Sequence, residues 1–385
     1  MKRVSAILVT ILFLMTGCGG NKQSSDDFIM VDVAKKYPKK EFLLQDILDV
    51  EYIPLETNDE FVTQGSLLAV GKDIILVMNR IRDGNIYVFD KKTGKGLRKI
   101  NKMGQGPGEY QNVLGVVLDE ANGEMFVNSH FLREIFVYDL YGDFRRSFKQ
   151  KEGTMYNNVY NFDRDNLIYQ DGFYTNDGEA TEQVLGVISK QDGSITKEIH
   201  FPFKEKKTMF MFGPESIASI RFLYSINPYR NNFILVEPSS DTMYVYSQNH
   251  QMTPFVVRTP SIQSMNTEVF LFPAIFTDRY YFMIAVEKVW DFKTSTGFPM
   301  TNLMYDKQEK AIFEYSIYND DYVDKMPLDM RAKFVNGEIA YWQTLETFEL
   351  VEAYEAGKLN GKLKEIAANL DEEDNAVLML AKYKK

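Results

Sequence analysis

The chain has 385 residues, with 44 basic against 54 acidic side chains, a formal net charge of −10 and a single cysteine. Acidic charge scattered along the chain excludes the basic footprint that nucleic acid requires, and excludes electrostatic attraction to an anionic membrane surface. A lone cysteine excludes an internal disulfide.

The chain opens on Met1-Lys2-Arg3, continues almost wholly apolar from Val4 to Met15, and reaches Thr16-Gly17-Cys18. A basic start, a short apolar core and a small residue before the break read as a secretory signal over residues 1–17. The apolar run is shorter than the roughly 20 residues that span a bilayer. Cys18 then pairs between chains, stays free or is modified. Its place after Leu14-Met15-Thr16-Gly17 resembles a lipobox, with Met where Leu is usual. That resemblance implies lipid attachment at Cys18 and anchoring in the membrane, because each buried CH₂ of an acyl chain contributes about 0.8 kcal/mol. Residues 18–27 are polar and without periodicity, which predicts a flexible tether. Within it, Ser25-Asp26-Asp27 resembles the acidic export tag of surface lipoproteins from Bacteroides-type bacteria; a plain polar linker has the same composition.

From residue 28 onward, short alternating runs rich in Phe and Tyr stand between Gly, Asn and Asp, as in Asn85–Asp90, Glu124–Asn128 and Glu134–Asp139. Such runs predict many short strands. Thr93-Gly94, Asn122-Gly123, Tyr141-Gly142-Asp143, Asp177-Gly178, Asp192-Gly193 and Asn336-Gly337 supply the turns. One unit recurs, over Ile74–Ile100, Glu124–Phe148, Leu167–Ile199, Phe233–Val257 and Tyr280–Ile317, and it opens again at Ile339–Trp342. Six such units predict an all-β chain, a six-bladed β-propeller over residues 28–385, since radial repetition hides the edges of four-stranded sheets.

Near the end, Phe348, Val351, Tyr354, Leu359, Leu363, Ile366 and Leu370 recur at helical spacing. They predict a small helical insertion in the last blade, about residues 344–370, broken at Gly357–Gly361. The strand pattern returns at Ala376–Ala381 and then the last blade lacks its final strand. Phe28–Val33 and Val50–Leu55 are strand-like and belong to no unit. One of them is expected to complete the last blade, because an unpaired apolar strand invites aggregation.

Val50-Glu51-Tyr52-Ile53-Pro54-Leu55-Glu56-Thr57, Gly104-Gln105-Gly106-Pro107-Gly108-Glu109-Tyr110 and Asp374-Asn375-Ala376-Val377-Leu378 resemble motifs of the six-bladed β-propeller lipoproteins of Bacteroides-type bacteria. Ala376 stands where that family commonly has Pro. The resemblance covers nearly all of the chain beyond the tether. It implies an architecture similar to NHL-repeat propellers and no settled activity.

The glycines of Gly104–Tyr110 could suggest a phosphate cradle. The loop lacks the Lys-Ser/Thr ending of one, and a strand follows, so it reads as a tight link between blades. His130, His200 and His250 fall in different units with no metal-ligand spacing, and no catalytic motif is present; neither metal nor cofactor is expected. What remains is a rim. Loops between second and third strands share a face with the links between blades. This places Asn79, Arg80, Arg82, Asn128, His130, Arg133, Glu237 and Asp241 there as candidate ligand-binding residues. The sequence therefore predicts a binding module, lipid-anchored in the cell envelope at the periplasmic or outer face of the outer membrane, for a glycan, peptide or protein. The alternative is a metal-dependent propeller enzyme, lactonase- or lyase-like, with its site in the central channel.

Overall fold

The computed structural model describes residues 28–79, 83–172, 185–220, 224–331 and 336–384. Within these the chain forms six antiparallel sheets arranged as the blades of a propeller, plus two minor hairpins and a few short helices. Blade I consists of Ser66–Val70, Ile74–Met78, Asn85–Asp90 and Gly96–Asn101, paired in chain order from the inside outward. Blades II (115–149), III (156–199), IV (226–259) and V (269–318) repeat that order. The alternation of Phe, Tyr, Val and Ile read from the sequence puts both faces of the middle strands into the clefts between blades. Ile75, Val77, Phe89, Val127 and Val137 are all fully buried. Burying each such side chain contributes about 1.5–3 kcal/mol.

Neighbouring blades are also bracketed by polar contacts. Arg98 on the outer strand of blade I donates from Nε to the Leu140 carbonyl of blade II at 2.8 Å. At the matching position of blade II, Arg146 donates to the Lys190 carbonyl of blade III at 2.8 Å. A second recurring device is a lysine just after the third strand that reaches the turn between the first two. Lys91 donates to the Gly71 carbonyl at 2.8 Å, Lys190 to the Asp163 carbonyl at 2.7 Å, and Lys307 to the Asp278 carbonyl.

The N-terminal segment runs as a belt outside the ring. Strand β1 (Ile29–Asp32) adds a fifth strand to blade IV, parallel to Met252–Thr259. Strand β2 (Lys39–Leu43) does the same for blade V, parallel to Ala311–Tyr318. After one helical turn, α1 (Leu44–Ile47), strand β3 (Leu48–Pro54) enters blade VI. There it pairs antiparallel with Val377–Tyr383, which pairs in turn with Ile339–Leu345. Of the two N-terminal runs expected to close the last blade, the second does so; the first seals blade IV instead. Parallel pairing to an outer strand was not legible from turn signals, because no turn connects the two strands.

The described strands of blade VI hold the second to fourth places. Asn336 donates to the Val70 carbonyl, and Glu338 lies 3.7 Å from Lys91, so Ile339–Leu345 starts where blade I has its first turn. It ends where Thr344 donates to the Gly65 carbonyl at 3.0 Å, at the start of blade I. The insertion between the second and third strands carries helices α2 (Thr347–Glu355) and α3 (Gly361–Ala367). Leu359 and Leu363 are buried as the periodicity predicts, Ile366 and Leu370 are half-buried, and Ala367 beside them is buried. Helix α2 is rotated from expectation: it buries Thr347 and Leu350, while Phe348 and Tyr354 are 49% and 37% exposed. The Thr347 hydroxyl donates to the Asp374 carbonyl at 2.6 Å, which fixes that rotation.

Candidate functional site

The ring has two mouths. One, here the link rim, carries the connections between blades and the loops between second and third strands. The other, the hairpin rim, carries the turns between first and second strands. The Gly104–Tyr110 link is a self-contained brace on the link rim. Glu109 folds back so that its Oε2 accepts the Gly106 N–H at 2.8 Å, and a Cβ on Gly104 would stand 2.0 Å from that oxygen. Tyr110 is fully buried and donates to the Gly84 carbonyl at 2.7 Å. The adjacent Gly108 takes φ +77°, a conformation that favours glycine.

Several rim residues singled out in the sequence serve the fold. Asn79 accepts the Gln64 N–H at 3.0 Å and donates to Asp83 at 2.8 Å. Asn128 donates to the Tyr156 carbonyl at 2.6 Å and accepts from Gln150 at 2.9 Å. Glu237, 2% exposed, pairs with Lys206 at 3.1 Å and accepts from the Ser239 hydroxyl at 2.8 Å. Asp241 accepts the Ile262 N–H at 2.7 Å. Beside it Arg258 is buried, which pushes its guanidinium down to about 10 against the opposing pull of Asp241 and Glu268. His130 lies edge-on to Phe131, its Nδ1 buried without a hydrogen-bond partner among the described residues. Arg133 closes that turn with φ +48°. These side chains are spread over three blades. Arg80 and Arg82, like Cys18 and Asp177-Gly178, lie outside the described residues.

The cavity is at the other mouth. A space of about 510 Å³ opens on the hairpin rim, with walls from blades I, II, III, IV and VI. The innermost strands Ser66–Val70, Gly115–Asp119, Tyr156–Asn161 and Ile226–Tyr229 each end their sheet, so one edge of each lacks a strand partner. Carboxamides complete the wall: Asn128, a candidate ligand-binding residue from the sequence, with Asn157, Asn161, Asn231, Asn232, Gln248 and Asn336. Its charged groups are largely answered in place. Asp119 meets Lys190 at 2.6 Å, Arg230 meets Asp278 at 2.9 Å, Glu338 meets Lys91, and Glu120 accepts the Lys72 N–H. Within the wall Phe162 stacks on Phe233 and on His250, with ring centroids 5.7 and 5.5 Å away. The His250 Nδ1 is 2.8 Å from the Tyr246 hydroxyl. The rigid backing holds Asn161 and Gln248 at the opening.

Such a wall offers hydrogen-bond donors and acceptors in similar number with little uncompensated charge. Among the described residues no group of three or more His, Cys, Asp and Glu side chains is placed to hold a metal ion. His200 sits apart, 3.7 Å from Glu198. The sequence reading missed this mouth because it looked to the longer loops. The signal was present in two asparagine-dense stretches, Asn157-Asn158-Val159-Tyr160-Asn161 and Arg230-Asn231-Asn232, each touching a short turn.

A family model described as "Domain of unknown function (DUF4934)" matches residues 28–382. No curated protein matches the chain. Among solved structures, the fold is similar to a protein of Bacteroides fragilis described as exported: 18% identity, 90% of this chain and 99% of that chain covered, TM-score 0.60. A member of the DUF4221 family from Bacteroides vulgatus is 11% identical, over 88% of this chain and 97% of that one, with a TM-score of 0.47.

Proposed function

The chain belongs to the DUF4934 family, and from that premise we propose that it is a binding module of the cell envelope that captures a neutral, hydroxyl-rich ligand, the end of a saccharide, at the hairpin mouth of its channel. The carboxamide wall of the roughly 510 Å³ cavity carries this reading. Sugar hydroxyls donate and accept, and so do carboxamides and free strand edges. Asp119, Arg230 and Glu338 on the wall are already held in ion pairs that a charged ligand would have to break. The basic-apolar-cysteine start of the chain and the similarity to an exported protein support an extracytoplasmic location, with the lipid on Cys18 as anchor.

Calorimetry against neutral oligosaccharides and against sialylated or sulfated ones tests the ligand class. Binding is expected for members of the neutral set, with a loss of about tenfold or more on Asn161→Ala or Asn231→Ala. A preference for the charged set, or binding that survives both substitutions, would overturn the site. The anchor is tested separately. Cys18→Ser should leave the melting temperature unchanged and move the protein to the soluble fraction; retention in membranes after a carbonate wash would mean another attachment.

A further inference from the structure

We propose that the link rim over blade VI is a docking surface for a second protein, one whose contact face is apolar at its centre and basic at its edge. The first observation is an asymmetry of exposed apolar groups. Of the 17 exposed large apolar side chains among the described residues, 12 lie on the link rim and one, Tyr141, on a turn of the opposite side. Tyr141, 76% exposed, has the Arg98 guanidinium 4.8 Å from its ring. Apolar groups gathered on one face mark an interaction site.

Five of them follow one another across blade VI: Val62, Phe348, Tyr354, Val323 and Met326, exposed by 61, 49, 37, 53 and 71%. Hydrogen bonds join their segments. The Thr63 N–H, next to Val62, donates to Asn375 at 2.7 Å, and the Asp374 carbonyl before it accepts from Thr347, next to Phe348. One turn beyond Tyr354, the Lys358 carbonyl accepts the Val323 N–H at 2.9 Å. Helix α2 therefore exposes Phe348 on its outer side and Tyr354 at the margin of its buried side, between two flanking links.

The second observation is charge. Residues 346–376 hold nine acidic side chains against three lysines, a net of −6 within a chain of net −10. Asp324 is paired with Lys358 at 3.3 Å, and Lys325, between Val323 and Met326, with Glu41 at 3.4 Å. Glu349, Glu352 and Glu355 stand exposed on helix α2, and Asp59, Glu60 and Asp320 beside its flanks. This selects the occupant. An anionic bilayer is repelled by such a surface. A second copy would bring the same acids against themselves, because a two-fold interface is self-complementary. A protein with an apolar centre and a lysine or arginine edge meets both features at once.

The test uses the full mature chain and a defined probe, a synthetic amphipathic helix with a leucine face flanked by lysines. Fluorescence anisotropy should give saturable binding that weakens with salt. It should fall by about tenfold or more both in Phe348→Ala/Tyr354→Ala and in Glu349→Lys/Glu352→Lys. All four positions are exposed, so unchanged melting temperatures are expected, and a glutamate-flanked version of the probe should not bind. Equal binding by wild type and both variants would overturn the surface. So would flotation with phosphatidylglycerol vesicles, or concentration-dependent dimerisation, that Phe348→Ala/Tyr354→Ala abolishes. Saccharide binding at the far mouth is read in the same variants, so failure of this surface is told apart from failure of the ligand site.

Discussion

Asp306 shows how single side chains tie the belt to the ring. Its side chain is fully buried, yet it accepts from Arg279 Nη2 at 2.9 Å, from the Gln308 and Glu309 N–H groups at 2.8 and 3.2 Å, and lies 3.5 Å from Lys40 on β2. Burial alone would raise its pKa; the bonds from Arg279, Gln308 and Glu309 outweigh that and lower it to about 2. An ordinary aspartate titrates at about 3.9 in the unfolded chain. The stabilisation is thus fully present above about pH 4 and is lost as pH falls through about 2. Asp306→Asn should cost about 1–3 kcal/mol at neutral pH, and in denaturant titrations its deficit against wild type should shrink between pH 5 and pH 2. A deficit that does not change with pH would sink the assignment. Lys190 gives a second case: with Asp119 at 2.6 Å and both side chains at most 5% exposed, Lys190→Met strands a buried carboxylate and should cost about 3–5 kcal/mol. Replacing both partners by apolar residues should recover much of that loss in the same assay. Neither pair was legible in the sequence, where Asp and Lys read as turn chemistry. The partners of the rim residues Asn79, Glu237 and Asp241 were hidden for a related reason. Polar residues in loops look free until the partners that fold onto them are known.

At the scale of elements, the belt carries the sharpest expectation. Val31, Leu44 and Leu48 are at most 1% exposed, and β3 pairs through all seven of its residues. Deleting residues up to Asn58 uncovers the outer strands of blades IV and V and leaves Val377–Tyr383 with an open edge. The truncated protein should be insoluble, or melt lower by about 10 °C or more, whereas removing only Gly19–Asp27 should leave the fold unchanged. A monomeric truncation with the wild-type melting temperature would contradict the belt. Much of this level could be read in advance. Period-two patterning and Gly-Asn-Asp turns located the blades, and each unit read from the sequence begins on a second strand, Ile339 included. Strand β2 and helix α1 escaped notice, since Lys39-Lys40-Glu41-Phe42-Leu43 lacks clean alternation and its pairing is parallel to a strand far along the chain. The rotation of α2 escaped too, because spacing defines an apolar stripe without saying which side the neighbours occupy.

At the scale of the whole molecule, the two mouths differ in kind, one amide-lined and concave, the other apolar and acidic. They are separated by close-packed blades, so occupancy of one should leave the other's affinity unchanged within about twofold. Saccharide titrations with Glu349→Lys/Glu352→Lys in place of wild type check this, and a larger change would point to coupling through the ring. The joint between β3 and Val377–Tyr383 has a consequence for manufacture. Its two halves are far apart in sequence, with the other five blades between them, and synthesis delivers the second after those blades. The entropy of bringing them together grows only slowly with the intervening length, so the finished ring loses little by it. An unfinished one cannot latch at all. A product stopped anywhere before Val377 keeps β3 without its partner and exposes raw strand edges to proteases and to other chains. Closure thus depends on a late segment: pulse-labelled fragments ending short of Val377 should decay faster than chains that contain it.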